Sequence, residues 1–148
     1  MTTHSETRRL PYTPDQMYEL VADVPSYPKF LPWVAAARER RRFAQGEAEV
    51  IEADLIISFK VFREKFGSRV TLWPKQRIET EYIDGPFSHM RSIWDFAAPD
   101  GGAGVDVNFF VDFEFRNKVL DAAAGVFFND AMQRIVRAFE RRAAELYT

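Results

Sequence analysis

Apolar and polar side chains alternate almost without fault over residues 105–115. Val105, Val107, Phe109, Val111, Phe113 and Phe115 fall on one parity, Asp106, Asn108, Asp112 and Glu114 on the other, and Phe110 is the single break. A period of two sends successive side chains to opposite faces, so the run predicts an antiparallel strand with one apolar and one wet face. The same logic reads upstream. Ile51, Ala53, Leu55, Ile57 and Phe59 are odd, whereas Phe62, Phe66, Val70 and Leu72 are even. That change of phase requires a turn or bulge near Lys60-Val61, because a slip of one residue would turn every side chain to the other face. Ile78, Thr80 and Tyr82 alternate with Arg77, Glu79 and Glu81, and Met90, Trp94 and Phe96 with His89, Arg91 and Asp95. Trp73-Pro74-Lys75, Asp84-Gly85-Pro86 and Pro99 to Gly104 punctuate these runs as turns. Val34 to Phe43 reads as a strand of a first long hairpin, turning at Gln45-Gly46, and residues 4–10 offer a weaker first strand.

Two stretches are helical. Thr13 is placed to cap a short helix, with Pro14 at its first position and Gln16 completing a capping box. Met17, Leu20 and Val21 give it an inward stripe, and Pro25 and Pro28 end it near Asp23. From Lys118 to about Leu146, Leu120, Ala123, Phe127, Ala131, Ile135, Phe139, Ala143 and Leu146 recur close to a 3.6-residue period. Such a helix is ~40 Å long against ~33 Å for a ten-residue strand, so it can lie across a whole sheet. The expectation is one α+β domain over residues 1–148 with a helix-grip architecture, an antiparallel sheet of six or seven strands curved around the C-terminal helix. One helix of ~10 Å diameter cannot fill a wide concavity, which leaves an apolar hollow between helix and sheet.

Between the short helix and the first hairpin stands Tyr27-Pro28-Lys29-Phe30-Leu31-Pro32-Trp33. The prolines remove backbone donors and fix φ, so neither a central strand nor a regular helix fits, and a stiffened apolar loop is predicted. Such a loop either plugs a core or rims an apolar cavity.

Composition sharpens this picture at a few points. Fourteen Phe, three Trp and five Tyr in 148 residues are more aromatic bulk than a minimal core needs. A net charge of −2, from 20 basic and 22 acidic residues, offers no global positive field and argues against DNA as a partner. The absence of cysteine removes disulfides and thiolate chemistry. No basic and apolar leader and no run of ~20 apolar residues is present, so a soluble cytoplasmic protein is expected, at most peripheral to the inner membrane.

Several strings, in this order, resemble the START-like polyketide cyclase and lipid-transport superfamily, and within it the coenzyme Q-binding branch that also holds the ribosome association toxin RatA. They are Asp23 with Tyr27 to Trp33, Phe59-Lys60-Val61-Phe62-Arg63-Glu64, Ser68-Arg69-Val70, Asp84-Gly85-Pro86-Phe87, Trp94-Asp95-Phe96, Val111 to Phe115 and Ala138 to Ala143. Val61 departs from the pattern, since family members often carry Gly there, and it leaves the geometry of that hairpin open. The resemblance implies a binder of ubiquinone or a similar isoprenoid lipid that supports respiration or quinone synthesis, needs no cofactor and is not an enzyme. It leaves the ribosome open as a partner, and a polyketide cyclase or aromatase working in the same hollow is a further alternative, for which the sequence offers no convincing acid/base pair.

The residues themselves supply little catalytic chemistry. His4 lies near the terminus and His89 on a polar face, and no nucleophile elbow, zinc-protease motif or phosphate loop occurs. No catalytic or metal-binding residue is assigned. Arg63-Glu64 reads as a rim ion pair or a buried one, Arg38 to Arg42 as the wet face of a strand, and Arg134, Arg137, Arg141 and Arg142 as charges suited to the negative end of a helix dipole. Either arginine group is an alternative surface for the ribosome. The ligand is expected between Phe109, Val111 and Phe113 on the sheet and Phe127, Ala131 and Ile135 on the helix, with Phe62, Phe66 and Trp94 extending the wall. Phe30, Leu31 and Trp33 are expected to rim the way in and to touch a membrane surface transiently.

Overall fold

The computed structural model describes residues 2–59, 62–99 and 102–148, and the side chains of Phe59 and Phe62 fall outside that description. Seven antiparallel strands form one open sheet: β1 (Thr2–Leu10), β2 (Val34–Gln45), β3 (Ala48–Phe59), β4 (Phe62–Trp73), β5 (Arg77–Asp84), β6 (Phe87–Ala97) and β7 (Val105–Phe115). The spatial order is β1-β7-β6-β5-β4-β3-β2. Five consecutive hairpins thus build a meander, and β1 closes it from the far end, Thr2 opposite Phe113 and Leu10 opposite Val105. The predicted turn at Lys60-Val61, with its Gly-to-Val question, lies outside the described residues, as does Asp100-Gly101 of the glycine turn.

Helix α1 (Pro14–Ala22) begins as its sequence dictates, with Thr13 accepting from the Gln16 amide and Gln16 accepting from the Thr13 amide. The segment after it is more ordered than a loop. Val24–Lys29 forms a short 3₁₀ helix in which Pro25 occupies the first turn, and the Phe30 and Leu31 amides both donate to Tyr27 O at 3.2 and 2.9 Å. The proline argument excludes a regular α-helix but not this tighter turn, whose few bonds need few donors. Trp33 follows with φ 68°, a left-handed residue that swings the chain into β2, and its carbonyl accepts from the Ser58 amide at 2.7 Å.

Helix α2 (Lys118–Tyr147), capped by Asn117, packs on the concave face of the sheet. Val105, Val107, Phe109, Val111, Phe113 and Phe115 all point into that space and are 8 % exposed or less. The opposite, convex face is laced with charge. Arg41 and Arg69 converge on Glu52 at 2.5 and 2.9 Å, Arg40 joins Asp54 to Asp84, and Arg77 joins Glu79 to Asp95. Arg38 to Arg42 therefore behave largely as expected. Arg42 is the exception, because a bulge between Glu39 and Arg41 sets it on the concave side opposite Ile51, where it pairs with Glu39 and Glu49.

Candidate functional site

The aromatic side chains of the concave face collect in two places. At the centre, the Phe139 ring of α2 lies 5.0 Å from Trp94, 5.3 Å from Phe30 and 5.6 Å from Tyr27, all edge-on, and Trp94 lies 4.4 Å from Phe109. Toward the β5–β6 turn, Phe87 gathers Phe66, Phe113, Phe115 and Tyr82, and Phe128 covers Phe113 at 4.8 Å. Phe30, Trp94 and Phe109 thus come together, whereas Phe66 and Phe113 belong to the second group.

The expected hollow between Phe109, Val111 and Phe113 on one side and Phe127, Ala131 and Ile135 on the other is displaced and nearly closed. Phe127 is 58 % exposed and Phe128 takes the inward position at 7 %. Residues 122–124 are all Ala, so the period across the adjacent pair Phe127-Phe128 does not decide which ring faces in; packing does. Ala131 and Ile135 are half-buried, and Val111 is buried and lines neither of the two spaces described below. The cavity found between the layers is about 20 Å³, bounded by Trp94, Val107, Phe109, Val136 and Phe139, with Glu6, Arg8 and Glu140 also along its wall. That is room for one water molecule.

A second and much larger space lies outside the Phe30–Phe139 pair. This cleft of about 610 Å³ runs between α1, the 3₁₀ helix and the last turns of α2, with Leu20, Phe30, Leu72, Leu146 and Tyr147 among its lining. Phe30 borders the outer cleft and Phe139 the inner cavity, so the two rings, in edge contact, form the partition between them. Leu31 and Trp33 are half-buried beside this mouth and line neither space. Phe62, also expected in the wall, has its side chain outside the described residues.

Polar groups in the concave space were missed from sequence. β1 turns His4, Glu6 and Arg8 inward: His4 Nε2 lies 2.8 Å from Glu6 Oε1, Arg8 Nε donates to Glu6 Oε2 at 2.8 Å, and Arg8 Nη1 donates to Glu140 Oε1 of α2 at 3.0 Å. Burial works against ionising Glu6, but the hydrogen bonds from His4 and Arg8 and the Arg8 charge outweigh it and bring its carboxyl below the usual range. Leu10, partly buried against the core at the end of the same parity, was the available signal that residues 2, 4, 6 and 8 face in. Burial pushes the Tyr27 hydroxyl well up, and it donates to Val21 O, which ties this partly buried residue of the segment to the core.

The remaining candidates are surface features. His89 lies on the convex face, 2.9 Å from Asp112 Oδ1, on the opposite side of the sheet from His4. Arg63 and Glu64 are both exposed, which settles them as rim residues. Among the described residues no group of three or more metal-ligating side chains occurs, and no helix is long and apolar enough to cross a membrane.

A seven-stranded sheet closed by one long C-terminal helix over an aromatic interior defines a helix-grip protein of the START type. The chain belongs to the polyketide cyclase/dehydrase and lipid transport family, whose model matches residues 10–140. It is 37 % identical over 150 residues to the ribosome association toxin RatA of Rickettsia prowazekii, covering 99 % of each chain. It is 30 % identical over 147 residues to the mitochondrial coenzyme Q-binding protein COQ10 homolog B of Xenopus laevis, covering 97 % of this chain and 59 % of that one. Among solved structures, the 18 kDa protein CC1736 of Caulobacter crescentus superposes with a TM-score of 0.82 at 34 % identity, covering 99 % of each chain. The first two relatives carry the names of a ribosome-associating and a coenzyme Q-binding protein.

Proposed function

We propose that the protein binds and carries an isoprenoid quinone, ubiquinone or a close analogue, without changing it chemically. The observation that carries the reading is the continuity of apolar wall from the 610 Å³ cleft, through the Phe30–Phe139 partition, to Trp94 and Phe109 beside the inner cavity. A cleft of this size suits a small ligand, and the tail needs further space inside. That space opens if α2 yields. Before Val136, Phe128 is the sole fully buried residue of the helix, with Leu120, Ala124, Met132 and Ile135 only partly buried, so its first half is held less firmly than its second. At ~0.8 kcal/mol per buried CH₂, a few isoprene units give micromolar affinity after association costs.

A long-tailed quinone is almost insoluble, so a carrier must collect it at a bilayer. We assign lipid contact during exchange to Leu31 and Trp33, supported by their being only half-buried beside exposed Lys29. Mass spectrometry of a solvent extract of freshly purified protein should find a quinone, and Trp33→Ala with Phe30→Ala should slow quinone transfer between vesicles more than it lowers stability. An extract free of isoprenoids together with no vesicle transfer would overturn the proposal.

One observation favours a second reading, contact with the ribosome. Arg137 and Arg141 are exposed on α2 and make no ion pair among the described residues, whereas Arg134 is held by Asp130. Binding through them should weaken steeply with salt and ignore quinone. Co-sedimentation with ribosomal subunits over a salt series, with Arg137→Ala and Arg141→Ala, decides it.

A further inference from the structure

Arg142 sits where α2 crosses the outer cleft, three residues beyond Phe139 and therefore on the same inward stripe. Its guanidinium lies over the Phe30 ring, 5.6 Å from the centroid, and Nη1 donates to Glu145 Oε2 at 3.3 Å. Its Nε is wholly buried and has no acceptor among the described residues. A buried donor of a charged group without a partner keeps its full desolvation cost, and among the described residues every other fully buried side-chain nitrogen or oxygen is paired. The unpaired donor belongs to a residue that lines the larger of the two spaces described above.

We infer that Arg142 is the anchor for the polar head of the ligand, and that this head is a neutral carbonyl oxygen rather than an anion. The inference rests on the ligand-binding reading above and adds the group that selects among ligands. The charges of the cleft set the preference. Arg42 is taken up by Glu39 and Glu49, so it offers little to a ligand. Glu19 and Asp23 also line the cleft, and Glu145 already offsets part of the Arg142 charge. A carboxylate or phosphate head would meet these carboxylates, whereas a carbonyl takes the guanidinium hydrogen bond without that repulsion. A quinone ring over Phe30 presents such an oxygen to Arg142 and leaves its tail pointing at the Phe30–Phe139 partition.

Three probes with the same two-unit isoprenoid tail test this by isothermal titration of the full chain: a ubiquinone, the plain hydrocarbon and the terminal carboxylic acid. The wild type should bind the ubiquinone about tenfold or more tightly than either of the others, the worth of one hydrogen bond to a charged group. Arg142→Met, which keeps the apolar stem, should lower ubiquinone affinity about tenfold and leave the hydrocarbon within about twofold. Arg142→Lys keeps stem and charge but lacks the Nε donor; it should also lose the preference, and it serves if the Met variant fails to fold. Equal binding of hydrocarbon and ubiquinone by the wild type would overturn the anchor and leave the carrier reading standing. Preference for the acid would overturn the neutral head, undiminished ubiquinone affinity in the folded variants would overturn the role of Arg142, and binding of none of the three would overturn anchor and carrier together.

Discussion

Replacing Phe139 by Ala should be among the most costly single changes in this protein. The side chain is 4 % exposed and its ring meets Trp94, Phe30 and Tyr27 at 5.0, 5.3 and 5.6 Å. Burying a Phe side chain is worth about 2–3 kcal/mol, and each edge-on aromatic pair adds about 0.5–1 kcal/mol. The site cannot collapse easily, because the ring already borders open volume and bridges the helix to both the sheet and the 3₁₀ segment. A loss of about 4 kcal/mol follows, within the usual range for Phe→Ala in a core, and it corresponds to a fall in Tm of about 8–16 °C for a chain of this size. Urea denaturation followed by tryptophan fluorescence measures it, with the m-value expected to stay near that of the wild type. The variant also joins the inner cavity to the cleft, so a small apolar probe such as toluene should recover part of the loss in the variant and none in the wild type. A loss below about 1.5 kcal/mol, or no selective rescue, would show that Phe139 does not buttress the interior in this way.

Phe128→Ala should cost about 3 kcal/mol and Phe127→Ala under about 1 kcal/mol, since the rings are 7 % and 58 % exposed; equal losses would refute the phase of α2 described above. Gly85 has φ 136° and a Cβ there would lie 2.7 Å from Phe66 Cβ, so Gly85→Ala should lower stability by about 2–3 kcal/mol, whereas Gly46→Ala, with φ 62° and no neighbour within 4 Å, should cost about 1 kcal/mol; thermal unfolding of the pair checks the difference. Hydrogen bonds from Arg41 and then Arg69 hold the Glu52 carboxyl at about 2, below the ordinary 4.5 of an unfolded chain. Its folded pKa being depressed, the stabilisation is complete above about pH 4.5 and is lost as pH falls toward 2. Arg69→Met should move acid unfolding to higher pH, and an NMR titration midpoint for Glu52 in the ordinary carboxylate range would refute the assignment.

Local rules carried most of the fold. The capping residues Thr13 and Gln16, the alternation of 105–115 and the turns at Trp73-Pro74-Lys75 and Asp84-Gly85-Pro86 depend on neighbours a few residues apart, and such signals survive in a bare sequence. The phase of α2 did not, because Phe127 and Phe128 are the same residue beside three alanines and only the shape of the sheet below distinguishes them. The inward row His4, Glu6, Arg8 carried no sign of its facing for a related reason: polar residues facing in and polar residues facing out share a period. Arg142 is a different case. Its spacing from Ile135 and Phe139 already placed it on the inward stripe, but a charge near a helix C-terminus has a ready explanation in the helix dipole, and that explanation concealed its unpaired Nε and its position over Phe30.

The pairing of β1 with β7 has a consequence for how the chain is made. Its partners stand about a hundred residues apart, while every other neighbouring pair in the sheet is joined by a hairpin. At a synthesis rate of ~5–20 residues per second, β1 emerges about 5–20 s before the strand it pairs with. The hairpins from β2 to β7 can form in chain order during that time, but the nascent molecule keeps an unpaired first strand until the end. Its own sequence suits the wait: Thr, His, Ser, Glu and Arg carry almost no hydrophobic side chain before Leu10, so it offers little to a neighbouring chain while it stands open. Folding then finishes with the longest-range contact in the sheet, which predicts that the last event to complete the concave wall is also the slowest.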